Sequence, residues 1–387
     1  MRFRVIVVVS LLLGSFLGLM AWRWANAEAG TELPSIAANT MEETGAPTPP
    51  PTGERPTTQV TEAPLPQRTG YVLSRSGALL APAPGEEAVS IAGGILFPVL
   101  GEGDGGYGVL DTCNTEGWLA ADDVEPGLVP ERPGDGFHQS VFVIDPGHGL
   151  PDYGAVGPSG LAETTVNLDV STRIVELLRE PHDIDWATGA VTPGDAVPAA
   201  AAAVLTRRAA GPNGGDYQLG LTFRSTVANV LDATALVSIH HNTVPETTLD
   251  HPGAEAFVSA NDPSSPRLGG LIVEELRTAF ARFEADWTGS PGNGLVSRVD
   301  RDGTDYYSLL DRSEVTAVIV EGAYISNPTE EALAMTDEFR QAYAEGVYRA
   351  LVRFVTTHDD PLPAPEPVLW EVDRPPPSLS QCQVPAP

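Results

Sequence analysis

Val141-Phe142-Val143-Ile144 is a run of four apolar residues, followed at once by Asp145-Pro146-Gly147-His148-Gly149. A short, unbroken β-branched and aromatic run bounded by Pro and Gly reads as a strand buried on both faces. A sheet with one wet face would alternate apolar and polar residues, so this run demands cover on both sides. Similar runs return at Ala203-Val204-Leu205-Thr206, from Ala233 to Ile239, at Glu255-Ala256-Phe257-Val258 and at Thr316-Ala317-Val318-Ile319-Val320. Between them apolar residues recur at helical spacing: Val166, Val170, Ile174 and Leu178; Leu219, Phe223, Val227 and Val230; Leu268, Ile272, Leu276 and Phe280. A long amphipathic stretch, Glu338 to Thr356, closes the series. Strands alternating with helices imply an α/β domain with a mostly parallel central sheet and helices on both faces. Its expected extent is 140–358.

The chain before this domain changes character three times. Arg2 and Arg4 precede an apolar run from Val5 to Trp22, and Ala25-Asn26-Ala27 has the small-x-small form of a cleavage site. Residues 1–27 therefore read as a signal peptide or as a retained membrane anchor, and the rest of the chain as exported. Residues 28–67 are rich in Pro, Thr, Glu and Ala, with few large apolar residues, and read as a disordered linker. From 68 to 128 short runs such as Tyr71-Val72-Leu73 and Ile95-Leu96-Phe97 are separated by Gly, Asp, Asn and Pro. That punctuation predicts a small all-β module of SH3-like type. Residues 129–139, with Pro130, Pro133, Gly134 and Gly136, read as a hinge, and 359–387 as a Pro-rich, unstructured tail.

Net charge is −30, and all 22 basic residues are Arg. So acidic a chain lacks the basic footprint that nucleic acid or an anionic membrane surface requires, and no nucleic-acid partner is expected. The two cysteines, Cys113 and Cys382, are compatible with one disulfide in an exported protein or with two unpaired thiols. The chain is read as a monomer.

Four polar residues stand at the ends of buried elements: His148, Glu163, His240 and Glu321. His, Glu and His form a ligand set suited to catalytic zinc, with an open fourth position for water. A carboxylate off the metal can take a proton from that water and pass it to a leaving amine; Glu321 is the candidate. Each residue also has a plainer reading. The histidines can cap or pack, Glu163 can favour a helix N-terminus, and Glu321 can pair with an Arg. Four such residues at element ends, in a chain with seven His, favour the metal reading. The chain lacks HExxH, a G-x-S-x-G elbow and any phosphate-binding glycine loop opening a helix.

These residues fall in four ordered motifs. Asp145 to Gly149, with Asp152, Gly154-Ala155, Gly157, Gly160 through Glu163 and Asn167-Leu168, resembles the opening motif of the Amidase_3 type of zinc-dependent N-acetylmuramoyl-L-alanine amidases. Leu205-Thr206-Arg207 and Arg224 with Ala228-Asn229 resemble its middle, and Ser238-Ile239-His240-His241-Asn242 its Ser-Ile-His-x-Asn motif. Val320-Glu321-Gly322 through Asn327-Pro328, with Glu331, resembles its closing motif, more loosely spaced. The resemblance implies zinc ligands at His148, Glu163 and His240, a catalytic carboxylate at Glu321, and hydrolysis of the muramoyl–L-alanine amide of peptidoglycan. His241 is left to substrate contact or packing. The chain departs from the pattern at Leu150-Pro151, at Gly322-Ala323-Tyr324 and in an insertion at 182–203, expected to be a loop and a possible lid. Two rival readings are a non-catalytic wall-binding protein of the same fold and a zinc hydrolase of a different amide.

Overall fold

A computed structural model describes residues 65–208, 217–243, 247–290, 292–361, 366–372, 382 and 384–386. The export segment 1–27 and nearly all of the linker 28–67 lie outside the described residues. Among the described residues no helix is long and apolar enough to cross a membrane.

Seven antiparallel strands fill the region read as an all-β module: β1 (Gln67–Ser74), β2 (Leu79–Ala81), β3 (Val89–Ser90), β4 (Leu96–Gly103), β5 (Gly106–Leu110), β6 (Glu116–Ala120) and β7 (Val124–Pro130). Their order is β3-β2-β6-β5-β4-β1-β7. The β4–β5 turn is Asp104-Gly105, both at positive φ (49° and 76°). That pair matches the right-handed twist of a tight hairpin.

The module is no separate lobe. Val72, Ile95 and Leu119 belong to the same apolar cluster as Val141, Val143, Phe223 and Leu236. Arg68 Nη2 donates to Val230 O at 2.7 Å. Nor is 129–139 free as a hinge, because Phe137 is buried, with its ring 5.4 Å from Phe142 and 6.2 Å from Tyr348. The Pro and Gly content suggested flexibility, but one buried aromatic contributes on the order of 1.5–3 kcal/mol and holds the connection down.

The second sheet is built from β8 (Val141–Pro146), β11 (Ala202–Leu205), β12 (Ala235–Asn242), β14 (Glu255–Val258), β16 (Leu295–Val299), β17 (Ala317–Tyr324) and β18 (Val368–Glu371). Two small pairs flank it, β9 (His182–Asp185) with β10 (Ala190–Pro193), and β13 (Thr247–Thr248) with β15 (Thr288–Gly289). The main order is β11-β8-β12-β17-β14-β16-β18, and every pairing is parallel except β17–β14. The sheet is thus mixed, its parallel pairs interrupted by one reversal. Among the described residues six helices accompany it: α1 (Glu163–Arg179), α2 (Phe223–Val230), α3 (Ser265–Phe280), α4 (Ser308–Asp311), α5 (Pro328–Ala334) and α6 (Asp337–Thr356). Phe142 and Ile144 point into the core of α1, α3 and α6, while Val141 and Val143 point into the core shared with α2, α4 and the β module. Cover on both faces is what the unbroken apolar runs required, but part of it comes from strands rather than helices.

Two expectations are corrected. The insertion 182–203 is no plain loop, since it contains the β9–β10 hairpin, anchored by Arg349 Nη1 to Gly189 O at 2.7 Å and by His182 against Tyr348 at 5.5 Å. It lies between the end of α1 and the start of β11, at the opposite end of the parallel strands from His148 and His240, so it is not a lid. The tail is not wholly irregular either. Residues 368–371 pair with β16, and Trp370 lies 5.1 Å from the Arg298 guanidinium. Cys382 is disulfide-bonded to Cys113, and Pro385 O accepts from Ala92 N at 2.8 Å. Composition does not reveal that β16 has a free edge to offer.

The disulfide cross-links positions 269 residues apart, so it restricts the unfolded chain strongly. Cys113→Ser is expected to destabilise the protein by roughly 2–4 kcal/mol in denaturant titration, with reductant giving the same loss in the wild type. A loss under about 0.5 kcal/mol would show that this bond leaves the unfolded ensemble unconstrained.

Candidate metal centre

The centre begins at the end of β8. Asp145 is fully buried and receives Thr206 Oγ1, Ser238 Oγ and Arg224 Nη1, the last at 2.6 Å. The chain then turns sharply, and His148 sits at φ 63°, left-handed backbone that costs a residue with a Cβ on the order of 1–3 kcal/mol. Two arginines hold the turn by its carbonyls. Arg224 donates to Pro146 O at 2.8 Å and His148 O at 2.6 Å. Arg207, buried in full, donates to Pro146 O at 3.1 Å and Gly147 O at 2.8 Å, and to Thr164 Oγ1 at 2.9 Å. Three successive carbonyls are thereby fixed.

His148 is aimed by a carboxylate four residues on. Its Nδ1 donates to Asp152 Oδ2 at 2.8 Å, leaving Nε2 3.1 Å from Glu163 Oε2. The second carboxylate oxygen of Glu163 lies 2.9 Å from His240 Nδ1. Glu163 opens α1, where the helix dipole favours a negative charge. It also accepts from Ala155 N (2.8 Å), His241 N (3.1 Å) and Asn167 Nδ2 (3.2 Å). Burial would raise its pKa, but the two histidines outweigh this and hold it far below the usual carboxylate range. Burial would likewise lower His148, yet Glu163 and Asp152 push it up to about 9. A metal at His148 therefore has to displace a proton in neutral solution.

His148, Glu163 and His240 each offer an atom within 4.8 Å of the others. Two imidazoles and one carboxylate are a donor set that suits a divalent cation such as Zn2+. Space around them is kept by glycine: a Cβ on Gly154, at φ 66°, would lie 2.5 Å from Glu163 Oε2 and 2.6 Å from His148, and one on Gly147 would lie 2.3 Å from the His240 ring. All three residues read from the sequence as ligands thus meet, and the donor set fits the group.

Glu321 is brought alongside by register. It pairs with His240 across β12–β17 and with Glu255 across β17–β14, which sets the three side chains on one face of the sheet. Its Oε2 is buried without a hydrogen-bond partner. Burial, then the charges of Glu163 and Glu255, push its carboxyl up to about 8. Gly322 follows because a Cβ there would lie 2.1 Å from the Tyr343 ring, whose hydroxyl donates to the carbonyls of His240 (3.2 Å) and Val320 (3.3 Å). His241 points to the opposite face: it is buried, its Nδ1 lies 2.8 Å from Asn167 Oδ1, and burial lowers its pKa to about 4. Packing, not substrate contact, accounts for it.

A profile of the N-acetylmuramoyl-L-alanine amidases, Amidase_3, matches residues 142–353, more than half of the 387. This chain belongs to that family. Among its relatives, a germination-specific N-acetylmuramoyl-L-alanine amidase of Bacillus subtilis is 25% identical over 221 residues, covering 57% of this chain and 82% of the relative. The N-acetylmuramoyl-L-alanine amidase AmiA of Escherichia coli is 26% identical over 252 residues, covering 57% and 78%. A solved N-acetylmuramoyl-L-alanine amidase from Clostridium difficile aligns with 58% of this chain and all of its own, at 20% identity and a TM-score of 0.43.

The amidase domain also contains positions to which the motifs alone assigned no role. Asp152 orients His148, Arg207 and Arg224 hold the turn, and Asn167 braces both Glu163 and His241. Glu331 accepts from Ser159 N at 2.8 Å and Leu161 N at 3.2 Å, pinning the loop that leads into Glu163. Asn327 caps α5, its side chain accepting from Thr329 N and Glu330 N. A carboxylate four residues after a ligand histidine is a signal that sequence reading could have used for Asp152; the arginine roles depend on contacts distant in the chain.

Two outcomes follow. Asp152→Asn is expected to weaken zinc binding roughly 10–100-fold in chelator competition with the far-UV spectrum unchanged; unaltered affinity would remove Asp152 from the centre. For Glu321, the folded-state carboxyl is raised from 4.5 to about 8, so its contribution to stability is full below pH 4.5 and is lost as pH rises to about 8. The metal-free Glu321→Gln protein should therefore melt higher than metal-free wild type, by an increment that widens across that window. An increment flat with pH would refute the raised carboxyl.

Proposed function

We propose that the chain hydrolyses the amide joining the lactyl carboxyl of N-acetylmuramic acid to L-alanine in peptidoglycan. The observation that carries this reading is the meeting of His148, Glu163 and His240 with Glu321 in register beside them. Zn2+ held by those three side chains would supply Lewis-acid activation of water and of the amide carbonyl at neutral pH. Everything else is done by the protein. Asp152 keeps the Nδ1 proton on His148 so that Nε2 stays available. Glu163 is held ionised between the two rings. Glu321 accepts a proton from the attacking water and returns it to the nitrogen of L-alanine as the C–N bond breaks, leaving a carboxylic acid on the sugar and a free amine on the peptide. A carboxyl poised near neutrality suits both halves of that exchange. Asp145, Arg207 and Arg224 make no such transfer; they keep His148 in place.

The wider assignment follows from the same reading. We take 140–358 as the catalytic domain, the strands from 68 to 128 as an SH3-like module that contributes to wall attachment, and 1–27 as the export signal or anchor that delivers a monomeric enzyme to the cell wall. The short antiparallel strands of the module support its part.

Digestion of purified sacculi with mass analysis tests the reaction. The expected products are stem peptides with a free L-alanine amine and glycan with a free lactyl carboxyl. Glu321→Gln should lower the rate by roughly 10²–10⁴-fold with zinc content unchanged. A wild-type rate in that variant would end the proposed role of Glu321, and wall binding without any release would favour a non-catalytic protein of this fold.

A further inference from the structure

A cavity of about 450 Å3 opens where β1 and β7 of the module approach β11, the edge strand of the catalytic sheet. Tyr71, Leu73 and Leu128 form one wall, residues 200–203 another, and two arginines, Arg179 and Arg208, complete it. Among the described residues no carboxylate lines it.

Arg179 has a structural task. Its Nε and Nη2 both donate to the edge carbonyl of Ala203, at 3.2 and 2.8 Å, covering a group that an edge strand would otherwise leave open. Arg208 has none of that kind. Its Nε is buried without an acceptor, and among the described residues it forms no ion pair. Burial, and then the charge of Arg179, lower its pKa, so the two cations are near enough to repel each other. Several other buried or half-buried arginines meet an acid, whereas Arg277 and Arg298, like Arg208, bury an Nε without a partner. Arg224 meets Asp145, Arg349 meets Glu275, Arg353 meets Glu274 and Glu275, and Arg173 meets Asp169. In a chain with 52 acidic residues against 22 arginines, none of the described acids lines the cleft that these two cations share. A buried donor without an acceptor calls for a partner, and the guanidinium fork matches planar or tetrahedral oxyanions.

We propose that this cleft is an anion-binding site for the wall polymer, in which Arg208 with Arg179 takes a carboxylate or phosphate group and Tyr71, Leu73 and Leu128 take the apolar part beside it. The proposal rests on the wall-substrate reading for its natural ligand, but not for the binding itself. It answers a physical difficulty, because a protein of charge −30 is repelled by an anionic wall unless it presents a local cationic contact. It also joins the two parts of the molecule. Arg207 reaches inward to the turn of His148, while its neighbour Arg208 lines the cleft.

The first test uses inorganic phosphate, titrated into the zinc-loaded full chain at constant ionic strength and read by calorimetry. Wild type should show saturable binding that Arg208→Gln weakens about tenfold or more, while Arg208→Lys, which keeps the charge and loses the fork, falls between. Zinc content and hydrolysis of a small soluble muramyl peptide should be unchanged in both variants. The second test places Arg208→Gln in a Glu321→Gln background, so that sacculi are not digested, and measures cosedimentation. Weaker binding only to sacculi that retain phosphate polymers assigns the anion as phosphate. Weaker binding that persists on stripped sacculi, and disappears when their carboxyls are amidated, assigns it as carboxylate. Equal phosphate binding by wild type and Arg208→Gln, together with equal cosedimentation, overturns the proposal and leaves the hydrolytic reading untouched.

Discussion

The buried ion pair between Asp145 and Arg224 is the interaction on which the catalytic half depends. Asp145 has no contact with water, and its carboxylate is satisfied by Arg224, Thr206 and Ser238 from three other segments. A buried charge of this kind is tolerated only when it is fully partnered, and removing one partner typically costs about 3–5 kcal/mol. Here the pair does more than close its own account of charges. The same guanidinium continues to the carbonyls of Pro146 and His148, so one arginine joins the strand end to the strained residue that follows. Arg207 repeats the device from β11 with Gly147 and Thr164. The left-handed backbone of His148 persists because four segments over-determine it.

From that turn the rest of the centre follows by short links. Asp152 sets His148, His148 and His240 bracket Glu163, and Glu163 is held by backbone donors from the loop before it and the strand beneath it. Glu331 and Asn327, from the closing segment, tie down the loop and the helix that complete the edge. Backbone groups share this work with the side chains, as donors to Glu163 and as carbonyls held by Arg207 and Arg224. That arrangement suits a site whose ligands must stay in place whether or not a cation neutralises them.

The two halves of the chain are less independent than their composition suggests. The β module shares an apolar core with the outer face of the catalytic sheet, and the tail returns to it through Cys382. Part of the cover expected from helices is supplied by these strands. The junction also creates the cleft of Arg179 and Arg208, which neither half would contain alone.

Residue order by itself determined the α/β class, the positions of β8, β12, β14 and β17, and the three residues, His148, Glu163 and His240, that the fold brings together. Unbroken apolar runs have one stable environment, and chemistry at a strand end has one place to go. It did not disclose β16, because Ser297 and Arg298 interrupt the run; their burial depends on Val258 O accepting from Ser297 and on rings from Phe257 and Tyr307 around Arg298. Nor did it disclose β18, whose exposed residues pair only because an edge is available. Tertiary structure alone decided that Arg207 turns inward, that His241 packs rather than facing substrate, and that Glu321 stands between His240 and Glu255. Local periodicity reports which faces are buried, but the partner of a buried charge lies far along the chain, and its position is set only when the sheet closes.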